Sequence, residues 1–527
     1  MFRSLLVVAV FAASVSAAAQ EHAPIAGARC LVCHNSLKSP SGKDVSIGSA
    51  WRASAMANAA RDPYWQASVR REALEHAPAA AAIESECATC HMPLQHAADK
   101  AAAHETPVFS RLPLLPAHEQ DVAAADGVTC SVCHQAEPTG LGTPASYNGN
   151  LVIAASGAAT RPLFGPLPAE PRIVAIHKAT SGLDLAESPH LRESGLCGSC
   201  HTLSTTTLDA AGKPVGSFPE QMPYLEWLAS DFHDKQTCQS CHMPAVDEPA
   251  PIATLGSPAR QGTRRHSFPG ANFLLANLLD AHRDDLGTVA TSAELSAAAD
   301  EARTYLTSQA ARISVSAPAV ATGKLTFAVT VQNLAGHKLP TAFPSRRAWL
   351  HVIVADAAGR VVFESGHLNP DGSITGNLND ADPARFSPHY TSITAASQVQ
   401  IFEPILGDAQ GHVTTALLTA THYLKDNRIL PAGFDKKTAP SEIAVQGAAA
   451  ADPAFTAGSA TTRYAIPLSA AGQLHVTVEL LYQPIGYRWA HNFDSIQAPE
   501  PQRFAGYYKA AADHSAHILA RAEQSTH

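Results

Sequence analysis

Apolar and polar residues alternate in short runs over the last third of the chain, and this rhythm divides the molecule in two. Residues 325–331, 348–355, 361–364, 398–403, 464–467 and 474–482 carry a period of two, with Gly, Asp and Asn between the runs. That period marks half-buried strands. It predicts an antiparallel β-sandwich, Ig-like in class, over residues 312–490, with 491–527 as a C-terminal tail. Upstream, residues 292–311 are rich in Ala, Glu and Leu and predict a helix within a linker spanning 286–311. Residues 20–285 read differently again: helices around 50–76 and 224–233, and long loops rich in Pro and Gly such as 139–171. They predict a mostly α or irregular domain.

The first 19 residues hold Arg3, an apolar run over 5–13 and small residues over 15–19. This is the pattern of a secretory signal, too short for a stable membrane span. No later stretch is apolar enough to cross a bilayer. The expected location is therefore beyond the inner membrane, in the periplasm or at the cell exterior.

Composition narrows the field modestly. With 527 residues, 46% hydrophobic and 16% charged, the chain reads as two or three folded domains. A formal net charge of −9 excludes nucleic acid as the expected partner, because no basic stripe exists to release counterions.

The ten cysteines decide the chemistry. Every one falls in a single pattern, as Cys30-Leu-Val-Cys33-His34, Cys87-Ala-Thr-Cys90-His91, Cys130-Ser-Val-Cys133-His134, Cys197-Gly-Ser-Cys200-His201 and Cys238-Gln-Ser-Cys241-His242. C-x-x-C-H is the attachment pattern of c-type haem. On one helical turn, residues i and i+3 share a side and suit two thioethers, while the His at i+4 reaches the iron. A disulfide framework would not require a His after every second Cys. Structural zinc would call for paired knuckles or separate His ligands, and a thioredoxin-like pair would occur once. Five covalently attached haems are the expected cofactors. Met-Pro follows two motifs, at Met92-Pro93 and Met243-Pro244, and a proline there ends the motif helix.

The sixth ligand determines whether an iron passes electrons or binds a small molecule. Residues 20–285 also contain His22, His76, His96, His104, His118, His177, His190, His233, His266 and His282. His266, in Arg264-Arg265-His266-Ser-Phe268, follows motif five and precedes a helix-like segment, which makes it a candidate. In the β region the segment Gly336-His337-Lys338-Leu339-Pro340-Thr341 offers His337. There Gly336 permits a sharp turn, Pro340 stiffens the exit, and Arg346 and Arg347 suit haem propionates.

Four pieces resemble the tetrahaem electron-carrier cytochromes of ammonia oxidisers, within the wider superfamily around hydroxylamine oxidoreductase. They are Trp51-Arg-Ala-Ser-Ala-Met56, Gly127-Val128-Thr-Cys130, His177-Lys-Ala-Thr-Ser-Gly182 and Leu196-Cys197-Gly-Ser-Cys200-His201. The resemblance covers about residues 25–205; the fifth motif and the β region stand outside it. The β region, with the segment at 336–341, is similar to the tail domain of bacterial multihaem cytochromes. The resemblance implies electron transfer through close-packed haems. It also implies a distal ligand at His177, and it places Met56 where those carriers have a distal His. No C-x-x-C-Lys motif of a catalytic haem is present. The expected function is electron transfer to redox partner proteins, other cytochromes among them. The alternative is an oxidoreductase acting on a small nitrogen or sulfur compound at one open haem.

Overall fold

The computed structural model describes residues 25–115, 121–154, 161–468 and 472–526. The signal segment, His22 and His118 lie outside the described residues.

The N-terminal part is built from short helices: α1 (Ala28–His34), α2 (Pro63–Glu75), α3 (Ala80–His91), α4 (Cys130–His134), α5 (Pro171–Ser181), α6 (Ser194–Gly198) and α7 (Cys238–His242). The helix predicted around 50–76 is broken. A six-residue helix over Ile47–Arg52 gives way to turns, and α2 starts afresh where Asp62 accepts hydrogen bonds from the Tyr64 and Trp65 amides, with Pro63 at its first position. The apolar cluster of this part is small, built around Trp65, Val69, Ile83, Ala88 and Met92. α1 and α7 bury none of their own residues. Their side chains face an internal space instead.

α8 (Phe273–Ala281) and α9 (Ser292–Gln309) follow. Thr291 and Glu294 close a capping box at the start of α9, and Glu294 also pairs with Arg52. Leu295, Ala299, Ala302 and Leu306 place one face of α9 in the core. The predicted linker helix is thus a packed element rather than a spacer.

Apart from two short strand pairs upstream and the small flanking strands Ala319–Ala321 and Phe455–Thr456, the strands are β1 (Ala311–Val315), β2 (Lys324–Asn333), β3 (Arg347–Asp356), β4 (Val361–Ser365), β5 (Ser392–Ile393), β6 (Ile401–Phe402), β7 (Pro404–Asp408), β8 (Val413–Thr414), β9 (Ala420–Asp426), β10 (Ser459–Pro467), β11 (Leu474–Gln483) and β12 (His517–Ser525). One sheet runs β5-β10-β2-β1 and a second β6-β3-β11-β12, with β4 also on β3; β8-β7-β9 form a third. β2 and β10 pair antiparallel from Lys324 opposite Pro467 to Gln332 opposite Ser459. Their inward residues, Leu325, Phe327, Val329 and Val331 with Ala460, Tyr464 and Ile466, share a core with Leu350, Val352, Val476 and Val478 of the second sheet. The alternation read from sequence is therefore the burial pattern. The predicted tail over 491–527 is corrected: it holds α10 (Pro499–Ala511), packed on α2, and β12, which pairs with β11.

The two parts are welded together. One apolar cluster runs from Tyr64, Phe218 and Met222 through α8 and α9 into both large sheets. Beside it lies a buried ionic network. Lys338 Nζ meets Asp426 Oδ2 at 2.6 Å, Arg428 reaches the same carboxylate at 2.7 Å, and Arg428 also pairs with Glu226 at 3.0 Å. All four side chains are at most 5% exposed. Removing one member leaves the others charged and unpaired, which typically costs about 3–5 kcal/mol. Asp426→Asn is accordingly expected to lower urea-unfolding stability by about that amount, and a loss under about 1 kcal/mol would show the network to be solvated. Among the described residues, no helix is long and apolar enough to cross a membrane.

Candidate functional site

Each motif holds its two Cys and its His on one turn of chain. Thr129 and Thr237 stand at the N-caps of α4 and α7, and the Thr237 side chain accepts from the Ser240 amide. α6 ends inside motif four, yet the turn continues, with the His201 amide donating to the Cys197 carbonyl at 2.9 Å. None of the ten cysteines is tied up in a disulfide.

All fifteen motif Cys and His side chains line one cavity of about 1560 Å³. Pockets for a single small ligand usually hold roughly 300–1000 Å³. The motifs are also close to one another. A hydrogen bond from the Cys130 thiol draws Cys30 below its ordinary pKa, and one from Cys197 draws Cys238 down to about 7. Cys200 hydrogen-bonds with Cys90, and Cys133 sits in the field of Cys200, so motif four adjoins motifs two, three and five.

The imidazoles are oriented from behind. Nδ1 of His34 donates to the Ile252 carbonyl at 2.6 Å, His91 to Ala59 at 2.9 Å, His134 to Phe164 at 2.8 Å and His242 to Pro269 at 2.7 Å. A carbonyl can only accept, so the proton is fixed on Nδ1 and the Nε2 lone pair is left for a metal. Burial pushes His91 and His201 down to about 4 and lowers His134 and His242 as well. These rings are neutral at pH 7, as ligands must be.

Three further histidines that the sequence singles out line the same cavity, each opposite a motif ring. His177, on α5, faces His34 with ring centroids 6.2 Å apart and planes 27° apart. His266 faces His134 at 6.4 Å and 20°, and His337 faces His242 at 6.3 Å and 13°. A metal–imidazole bond of about 2 Å, with the ring centre about 1.1 Å behind the nitrogen, puts two rings across one ion roughly 6.3 Å apart. The residues present fit c-type haem by this measure, by cavity size and by their paired thiols.

The His337 loop is held firmly. The Asn333 side chain donates to the His337 carbonyl at 2.8 Å, the Lys338 amide donates to Glu226 at 3.1 Å, and His337 Nδ1 donates to the Lys338 carbonyl at 2.9 Å. One sequence expectation about this loop is corrected, at Arg347. The chain does bend at Gly336, though without a positive φ, and the residue also permits close approach, since a Cβ there would lie 3.2 Å from Phe232 and 3.3 Å from Trp227. Arg346 does line the cavity. Arg347, as the first residue of β3, points inward to Asp380 at 2.7 Å and Gln483 and does not line the cavity.

Met56 lines the cavity, with its backbone carbonyl accepting from the Val128 amide at 2.9 Å. The other histidines do not line it. His76 is buried, with neither ring nitrogen hydrogen-bonded; His190 bonds Ser188 at 2.6 Å; His282 stacks on Tyr507 at 3.4 Å; His96 bonds Thr106. Among the described residues no imidazole faces His91 or His201. The ring stacked on His91 is Trp65, at 4.4 Å and 3°.

Three carboxyls that sequence reasoning missed line the wall around Cys87: Glu72, Glu86 and Glu220. Burial pushes both Glu72 and Glu220 up to about 7, and each of the two is further raised by a neighbouring carboxylate. Glu72 also accepts from the Leu417 and Leu418 amides of the β part.

No protein-family model matches the chain, and no curated protein matches it. Among solved structures, a penta-haem cytochrome c552 from Thermochromatium tepidum superposes with a TM-score of 0.53, over 95% of this chain and 99% of that one, at 19% identity. The two chains share a fold.

The raised carboxyls give a pH dependence. Their folded pKa lies above the unfolded value near 4.5, so their share of stability is present below that value and is lost as pH rises through about 7. Glu72→Gln and Glu220→Gln should each raise stability at pH 8 by about 1–3 kcal/mol and leave it nearly unchanged at pH 4. Thermal unfolding across that range checks this, and equal effects at both ends would contradict it.

Proposed function

We propose that this chain is a five-haem c-type cytochrome that carries electrons in the periplasm or at the cell exterior. The observation that carries the reading is that all five C-x-x-C-H motifs open into one cavity in which three motif imidazoles face a second imidazole. The ten motif cysteines, Cys30 to Cys241, would hold the five porphyrins. His34, His91, His134, His201 and His242 would bind the irons from one side, with His177, His266 and His337 as sixth ligands in motifs one, three and five. Five haems packed in one enclosure supply a conduit for single electrons. The protein's own part is to fix the rings, exclude water and keep motif four at the junction of motifs two, three and five. A fold shared with a penta-haem cytochrome supports the count. Kinship with the tetrahaem carriers rests on the four segments quoted above. Redox partner proteins, other cytochromes among them, follow from the function.

The division into a haem-bearing part over 20–285 and a β part from 312 onward belongs to the same proposal. The β part is read as Ig-like. Its orders β1-β2-β10-β5 and β3-β11-β12 correspond to strands A-B-E-D and C-F-G of that fold, although β5 pairs in parallel with β10.

A second reading is favoured by one observation. His91 has no facing imidazole among the described residues, and the cavity wall beside Cys87 carries Glu72 and Glu220, which can hold a proton at neutral pH. That arrangement suits an oxidoreductase acting on a small nitrogen or sulfur compound. Met56 is proposed as a thioether ligand to one of the two irons left without a second imidazole.

Pyridine haemochrome and intact mass of the mature protein should count five haems, and a reductive titration should take up five electrons per chain. A count of four or fewer in fully matured protein would sink the reading. Added nitrite, hydroxylamine or sulfite separates the two functions. An unmoved Soret band supports the conduit, and a shift amounting to one haem supports the enzyme.

A further inference from the structure

We propose that the outer face of the β part carries a binding site for a late first-row divalent cation, of the zinc type, formed by His351, Glu364 and His367. Their candidate ligand atoms all lie within 4.8 Å of one another. The site is far in sequence from every haem motif, and it stands or falls independently of the electron-transfer reading.

The sheet register assembles it. His351 lies on β3 and Glu364 on β4, where Glu364 pairs with Ile353, two positions along from His351. A residue and the diagonal neighbour of its partner share one face of a sheet. His367 follows just beyond the end of β4. His351 Nε2 lies 2.9 Å from Glu364 Oε1, and His367 Nδ1 lies 3.1 Å from the same oxygen. Ligand atoms about 2.0–2.2 Å from a tetrahedral zinc stand roughly 3.4 Å apart, so the two His–Glu pairs open slightly to admit the ion while the two imidazoles, within 4.8 Å of each other, adjust to the same spacing.

The supporting shell is also in place. Glu479 sits directly opposite His351 on β11, and His351 Nδ1 lies 3.1 Å from Glu479 Oε2. Arg521, opposite Glu479 on β12, holds the other carboxylate oxygen at 3.2 Å. A metal-binding His commonly donates its second ring N–H to a carboxylate, which fixes the tautomer and strengthens the ligand. Here that donor, acceptor and anchor form a row across three strands. Two imidazoles and one carboxylate favour zinc, copper or nickel over calcium or magnesium. Three protein ligands leave the fourth position to water, and the 54% exposure of the His367 side chain gives the ion a way in. Binding releases any ring proton from His351 Nε2, while Nδ1 keeps its own toward Glu479.

The test is equilibrium dialysis of the haem-loaded full chain against zinc chloride at pH 7.5, with bound metal counted by atomic emission. One zinc per chain is expected, with a dissociation constant on the order of micromolar. His367→Ala and Glu364→Gln should abolish this binding, and Glu479→Gln should weaken it about tenfold. His412→Ala, on a separate exposed loop beside Asp408, should leave it unchanged. Haem content and the Soret spectrum should be the same in all variants, which shows that each has folded. No zinc retained at roughly 100 µM free metal, or binding that survives both His367→Ala and Glu364→Gln, would overturn the proposal.

Discussion

The rest of the structure depends on how the cavity imidazoles are held. In four motifs the proton on Nδ1 is committed to a backbone carbonyl supplied by another segment: Ile252 for His34, Ala59 for His91, Phe164 for His134 and Pro269 for His242. Each bond sets both ring orientation and tautomer, so that Nε2 looks into the shared space. Ile252 and Pro269 lie in irregular segments, whereas Ala59 opens a 3-10 helix and Phe164 sits in a short strand over Pro162–Gly165. Loops, a helix start and a strand thus share the work of orienting the rings. A cavity of about 1560 Å³ with largely apolar walls would not persist in a bare protein, because interiors pack to crystal-like density. The fold makes physical sense as a shell around bound groups, and its small apolar cluster around Trp65 and Val69 fits that role.

The same principle ties in the β part. His337 is half-buried opposite His242, and its loop is pinned by Glu226, which in turn engages Arg428 and, through it, Asp426 and Lys338. A sandwich could have been an appended module. Instead its core is continuous with α8, α9 and Tyr64 of α2, and it also supplies the Leu417 and Leu418 amides that hold Glu72 at the wall beside Cys87. In the proposed arrangement both parts would hold one set of irons, and the distances between centres would stay constant.

How much of this is legible in the sequence depends on how local the signal is. The C-x-x-C-H pattern is complete within five residues, and the strand alternation within ten, so both are read directly. His177, His266 and His337 stand out through their immediate neighbours, and the structure sets each one opposite a motif ring. Burial decided at long range is not legible. Glu72 looks like one more polar residue on a charged helix, and only amides some 345 positions away show that it is enclosed. Arg346 and Arg347 are adjacent and chemically alike, but the period of the strand sends one to the cavity and the other to Asp380. The last strand, β12, reads as a tail because its residues His517-Ile-Leu-Ala-Arg-Ala-Glu alternate weakly, and its partner β11 lies beyond an intervening helix.

The central claim is that three irons are held between two imidazoles each, one of them reaching across from the β part. Low-temperature electron paramagnetic resonance of the fully oxidised holoprotein, integrated per chain, tests it directly. Three low-spin irons with bis-imidazole signatures are predicted, and His337→Ala should convert one of them to high spin while all five haems are retained. Fewer than three such irons, or a His337→Ala spectrum identical to the unsubstituted protein's, would contradict the account.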